Sequence, residues 1–147
     1  MHTERLFRDH LFAAPPARIS ADDVFAFNDD MKQYLSTHIA SQFRSKDRPR
    51  ALIDALYSKN QFKLTYDAEM TRNAPQTFAA RAGNCLSLVI MTAAFAKEIG
   101  VPIQHQMVVG DAVWSRSGGG RYFSISHVNL TLGALQGGRI RDDQSAR

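Results

Sequence analysis

The chain has very little sulfur with which to cross-link itself or cluster a metal: a single cysteine, Cys85, in 147 residues. One thiol excludes an intramolecular disulfide framework and any site built from several thiolates, and it leaves the redox compartment open. Long apolar runs are missing as well. No stretch reaches the roughly 18 apolar residues of a membrane span, and residues 1–10 lack the apolar core of a secretory signal. The expected location is therefore cytoplasmic if the chain is complete, and periplasmic if a targeting segment has been removed. No carboxylate cluster has the spacing of a calcium loop, and no second ligand stands at helical spacing from His38. Neither a metal nor a cofactor is expected. Internal repeats and long low-complexity tracts are also lacking.

What is present suits one globular domain. The hydrophobic fraction of 44% and charged fraction of 22% are ordinary for a soluble fold, and the length suffices for one core without staples. The net charge of +4 and pI near 9.5 raise the question of nucleic acid. The basic residues Arg44, Lys46, Arg48 and Arg50 are interrupted by Asp47 and Pro49, and Arg139 and Arg141 stand apart from them. Without interleaved exposed aromatics or a binding module, nucleic-acid binding is not expected.

Residues 1–18 form a lead-in with a short apolar patch and a helix-breaking Pro15-Pro16. Ser20 as N-cap, Asp23 three residues on, and the staple positions Ile19 and Val24 then announce a helix. Val24, Phe27, Met31, Leu35, Ile39 and Phe43 recur at helical spacing, which predicts one helix across them with one apolar face. His38 rides near that face as a packing or surface histidine. Pro49 opens a second helix ending near Asn60. Phe62, Leu64 and Tyr66 predict a short extended segment. A further short helix follows, with Thr71 or Asn73 as cap and Pro75 in its first turn.

The next stretch, Arg81-Ala82-Gly83-Asn84-Cys85, leads into Leu86, Leu88, Val89, Ile90 and Met91. A glycine turn followed by an apolar run puts Cys85 at the N-terminus of a buried helix ending at Gly100-Val101-Pro102. Free backbone N–H groups and the helix dipole at such an end favour an anion, as a nucleophilic thiol requires. The plain alternative is a small buried hydrophobe. The period then changes to two. Residues 103–109 with Val113 and Trp114 predict a strand, 115–120 a flexible loop, and 122–132 a second strand or pair of strands. In that second stretch Val128, Leu130 and Leu132 share one face, and His127, Asn129 and Thr131 the other. Helices first and strands after is the α+β pattern. A sheet of two or three strands would be thin for this much helix, so the chain is expected to stop inside the domain or just short of a following one.

A cysteine nucleophile needs a base, and the base an orienting group. Of His2, His10, His38, His105 and His127, the first three lie in segments not expected near Cys85. His127 stands on a polar strand face suited to lining a site. At these residues the sequence resembles the transglutaminase-like superfamily of bacterial type, papain-related proteins with a Cys-His-Asp triad. The likeness rests on Thr77-x-x-x-Arg81-x-Gly83-Asn84-Cys85, on the helix end Glu98-Ile99-Gly100-Val101-Pro102, on the strand to Trp114 and on Ser126-His127-Val128-Asn129-Leu130. It covers roughly residues 60–135.

That resemblance implies a papain- or transglutaminase-like α+β core: a central Cys-bearing helix packed on a small antiparallel sheet. Residues 1–60 would be a helical prelude and 61–147 the catalytic-like core. It implies Cys85 as nucleophile and His127 as base and acid. For the third member, Asp142 is favoured by alternation from Ile140, with Asp143 or a residue beyond Arg147 as alternatives. The Cys85 N–H would be one oxyanion donor, and Gln76, Asn84 or the Trp114 indole the second. The chemistry implied is acyl transfer or hydrolysis at protein or peptide amides through a thioester. The rival is a non-catalytic module of the same fold that binds a protein or peptide.

Overall fold

The capping signals at Ser20 form in full. In a computed structural model, which describes residues 11–14, 17–58, 61–116 and 122–133, the Ser20 hydroxyl accepts from the Asp23 N–H at 3.1 Å. The Asp23 carboxylate accepts in return from the Ser20 N–H at 2.9 Å. These two bonds are the capping box of helix α1, Ala21–Val24. The staple position Ile19, by contrast, is 79% exposed.

The single helix predicted across Val24 to Phe43 is not continuous. Asn28 starts a new helix, its side-chain oxygen accepting from the Met31 N–H at 3.0 Å, and α2 runs Asp29–Tyr34. The coil then loosens to a π turn, Leu35–Ile39, and tightens to a 3₁₀ turn, Ala40–Arg44. Local side-chain bonding explains the irregularity. The hydroxyls of Ser36 and Thr37 both donate to the Gln33 carbonyl, at 2.9 and 2.8 Å, competing with the regular backbone ladder. The apolar face survives these breaks: Met31 and Ile39 are fully buried, and Val24, Phe27, Leu35 and Phe43 pack against the same core.

Helix α3, Arg48–Tyr57, carries Pro49 in its first turn and buries Ala51, Leu52, Ala55 and Leu56. The predicted extended segment is shorter than its pattern. Only Thr65–Tyr66 forms strand β1, because Lys63 adopts φ 52° and Phe62 turns into the core. Helix α4, Ala74–Ala80, has Asn73 as its cap in a second capping box, with Gln76. Arg81 follows in the left-handed region at φ 50°, an uncommon conformation outside glycine. Its guanidinium lies over the Phe62 ring at 5.1 Å. This turn carries the chain into β2, Ala82–Gly83, parallel to β1.

Helix α5, Cys85–Glu98, is the centre of the core. Phe95 is fully buried, and Phe27, Tyr34 and Phe78 approach its ring at centroid distances of 4.9, 6.4 and 5.8 Å. Each fully buried side chain of this size contributes about 1.5–3 kcal/mol. The helix is buried from Ser87 to Ala96, apart from the half-buried Leu88, but open at its first turn, where Leu86 is 41% exposed. Its end is a Schellman motif: the Gly100 N–H donates to the Lys97 carbonyl and the Val101 N–H to the Ala96 carbonyl. The motif needs a left-handed residue, and Gly100 supplies it at φ 69°.

Two strands follow, β3 (Ile103–Arg116) and β4 (Tyr122–Leu132), paired antiparallel. The register runs from Ile103 opposite Leu132 to Arg116 opposite Tyr122, with a shift between Val108 and Val113. The strand predicted from residues 103–109 with Val113 and Trp114 is β3, which carries that irregularity within it. Ser115 and Arg116, expected in a loop, pair with Phe123 and Tyr122 instead. The architecture is α+β, a helical layer with small sheets. Residues 139–143, where alternation from Ile140 favours Asp142, lie outside the described residues. Among the described residues, no helix is long and apolar enough to cross a membrane.

Candidate functional site

The first turn of α5 is held from three sides. Asn84 is its N-cap, and the Asn84 side-chain oxygen accepts both the Ser87 N–H and the Ser87 hydroxyl, each at 2.9 Å. The Asn84 amide donates to the Thr71 hydroxyl at 2.8 Å. Ser87 is fully buried, and its hydroxyl oxygen accepts the Arg72 N–H at 2.8 Å. Arg72 in turn is paired with Asp67 at 2.6 Å. That guanidinium, together with the Glu69 N–H, holds the Asp67 carboxyl below the usual carboxylate range. The segment 67–72 is thereby tied to the helix that presents Cys85.

Gly83 has a packing reason. A Cβ there would stand 2.7 Å from the Ser87 Cβ and 3.2 Å from the Thr77 methyl, and both of those residues are fully buried. Only glycine lets the β2 backbone lie this close to the α5 turn. The Gly-Asn-Cys triplet thus reads as a close approach, a cap and a first helical residue. With Ser87 capped and the Leu88 N–H bonded to the Asn84 carbonyl, the N–H groups of Cys85 and Leu86 have no partner among the described residues. They point out of the helix end, where the dipole favours negative charge.

Cys85 is half-buried and opens onto a cavity of about 310 Å³ between α3, α5 and β4. His127 and Asn129 of β4 line the same cavity, so the structure brings the predicted cysteine and histidine to one space. Along β4 the predicted alternation holds from His127 to Leu130, with His127 and Asn129 exposed and Val128 and Leu130 half-buried, but Thr131, expected on the polar face, is half-buried like Leu132. His127 thus lies on the exposed side of β4, opposite the face that carries Val128 and Leu130. It makes no hydrogen bond with the Cys85 thiol. Asn129 curls back to the edge of its own strand, its side-chain oxygen accepting the Leu130 N–H at 2.8 Å.

The remaining expectations divide clearly. Asp142 and its alternative Asp143 lie outside the described residues. Of the proposed second oxyanion donors, the Gln76 side-chain oxygen accepts the Asn73 N–H at 3.2 Å and Asn84 is the cap just described. Both are engaged in helix starts. Trp114 belongs to β3, and its side chain is outside the description. His105 lies edge-on to Phe25 at 6.4 Å, and His38 stacks on Tyr34 at 4.5 Å with its Nδ1 2.7 Å from the Thr37 hydroxyl. Among the described residues, no group of three or more His, Cys, Asp or Glu could hold a metal ion.

One participant escaped sequence reasoning. Tyr57, near the end of α3, lines the cavity, and its hydroxyl lies 2.6 Å from that of Thr92 on α5. Burial pushes the phenol above its ordinary range, partly opposed by the Thr92 bond. The only sequence signal was a tyrosine at the end of an apolar helix face, which reads equally as packing. Neither a family model, nor a curated protein, nor a solved structure matches this chain.

Proposed function

We propose that this chain is a transglutaminase-like cysteine enzyme with a papain-like core, acting on protein or peptide amides. The observation that carries the reading is the shared cavity: Cys85, at the open N-terminus of α5, and His127, on β4, line the same space. The Cys85 thiolate attacks the amide carbonyl, forming a C–S bond, while the free Cys85 N–H donates to the developing oxyanion. The C–N bond then breaks, and the leaving amine takes its proton from His127. Water, deprotonated by the neutral imidazole, attacks the thioester; the C–S bond breaks, releasing the acid and restoring the thiol. An amine in place of water gives a crosslink instead. The missing thiol–imidazole bond does not rule the pair out, because catalytic hydrogen bonds are often long before substrate binds and tighten afterwards. Asp142 is the proposed orienting group for His127.

A second reading, a non-catalytic peptide-binding module, is favoured by that same missing thiol–imidazole bond and by the apolar cavity wall. The rate of Cys85 alkylation by iodoacetamide, measured against pH, separates the two. For the enzyme, alkylation stays fast well below the pH of about 8.5 at which a free thiol titrates, and His127→Ala removes that fast limb. A slow reaction with ordinary thiol titration, unchanged in His127→Ala, would establish the binding module.

A further inference from the structure

The cavity beside Cys85 has a composition of its own. Its walls are made mainly by Ile53 of α3, Leu88 and Val89 of α5, and Val128, Leu130 and Leu132 of β4. Among the described residues that line it there is no Asp, Glu, Lys or Arg, and His127 is exposed. The two hydroxyls on the helical wall are satisfied within the wall. Thr92 donates to the Leu88 carbonyl at 2.8 Å, which leaves its oxygen to accept from Tyr57 at 2.6 Å. This closed chain offers an occupant no free donor, because each hydroxyl has one proton and each proton is engaged. At about 310 Å³ the space is about twice the ~150 Å³ that suffices for benzene. It sits at the small end of ligand sites, which run about 300–1,000 Å³.

We infer that this cavity is a selectivity pocket for a large, uncharged apolar side chain, aliphatic or aromatic, in the peptide beside the amide that Cys85 attacks. The inference rests on the reading of Cys85 as the acyl-accepting thiol and adds the substrate class. A charged side chain would lose its hydration in the pocket with no Asp, Glu, Lys or Arg among the described lining residues to replace it. A polar side chain would find the Tyr57 and Thr92 hydroxyls already paired. An apolar side chain loses nothing and removes both surfaces from water.

The test uses three alkylating reagents of one chemistry: N-benzyl-iodoacetamide, iodoacetamide and iodoacetate. Each rate constant at Cys85 is divided by that for glutathione, so that intrinsic reactivity cancels. The benzyl reagent should be favoured over iodoacetamide by at least about tenfold, the lower end of what apolar pockets discriminate, and iodoacetate should be disfavoured. Ile53→Asp, at a position already 39% exposed, should bring the benzyl preference close to one. Leu130→Trp, which fills the space, should do the same without adding charge. A benzyl ratio near one in the unmodified protein overturns the pocket even if the pH profile and its dependence on His127 hold. A large ratio with an ordinary pH profile keeps the pocket and overturns the enzyme.

Discussion

The two walls of the Cys85 cavity are built on different terms. On the α5 side, Asn84, Ser87, Thr71, Arg72 and Asp67 form a connected set of hydrogen bonds around one helical turn, and the helix behind it is buried from Ser87 to Ala96 apart from the half-buried Leu88. On the β4 side, His127 is carried by a strand whose described pairing is with β3 alone, and its inward residues are half-buried. A two-stranded ladder is marginal by itself and depends on what it packs against. The thiol thus has its position set by many mutually supporting contacts, and the imidazole by few. Cys85 on a core helix and His127 on a lightly held strand line one cavity without bonding to each other.

The contrast can be broken most directly at Gly83. Gly83→Ala forces a Cβ against the buried Ser87 and Thr77, and overpacking of this kind costs about 1–3 kcal/mol. Urea unfolding should show that loss, together with slower Cys85 alkylation as the first turn shifts. A Gly83→Ala protein as stable as the parent would mean that the α5 wall is not tightly built.

Acid probes the same wall through Asp67. Its folded carboxyl titrates below the unfolded value of about 3.9, so its contribution is complete above that pH and is lost as pH falls through the folded value. Acid unfolding of Asp67→Asn should lack this component, and its stability should change less between pH 5 and pH 3 than that of the parent. Identical acid curves would remove Asp67 from the network that holds α5.

The smallest effect is expected across the cavity. His127 is exposed, and substitutions at such positions usually stay within about 0.5 kcal/mol. His127→Ala should leave the urea midpoint nearly unchanged. A large loss would show that β4 is held as firmly as α5 and would sharpen the comparison in the other direction.

Local signals were the most legible part of the molecule. Ser20 with Asp23, Asn73 or Thr71 ahead of Pro75, Pro49 in the first turn of α3 and Gly100 after α5 each act within a few residues, so the chain itself displays them. The Val128, Leu130, Leu132 alternation was legible for the same reason. The continuity of the 24–43 helix was not. A recurring apolar spacing says which residues turn inward, and it is silent on whether Asn28 caps a new start or Ser36 and Thr37 disturb the ladder. Tyr57 was missed because its role depends on Thr92, 35 residues away.

By itself the sequence determined where α1, α3, α4 and α5 begin, where α5 ends, which residues of the apolar faces turn inward, and that the one thiol heads an apolar helix, because capping, periodicity and glycine geometry act over a few bonds. Only the tertiary structure decided that Cys85 and His127 share a cavity, that Gly83 must be bare to admit Ser87, and that the Tyr57 and Thr92 hydroxyls satisfy each other. Those facts depend on segments distant in the chain meeting in space, and a meeting of that kind is set by the packing of the whole core rather than by any neighbouring residues.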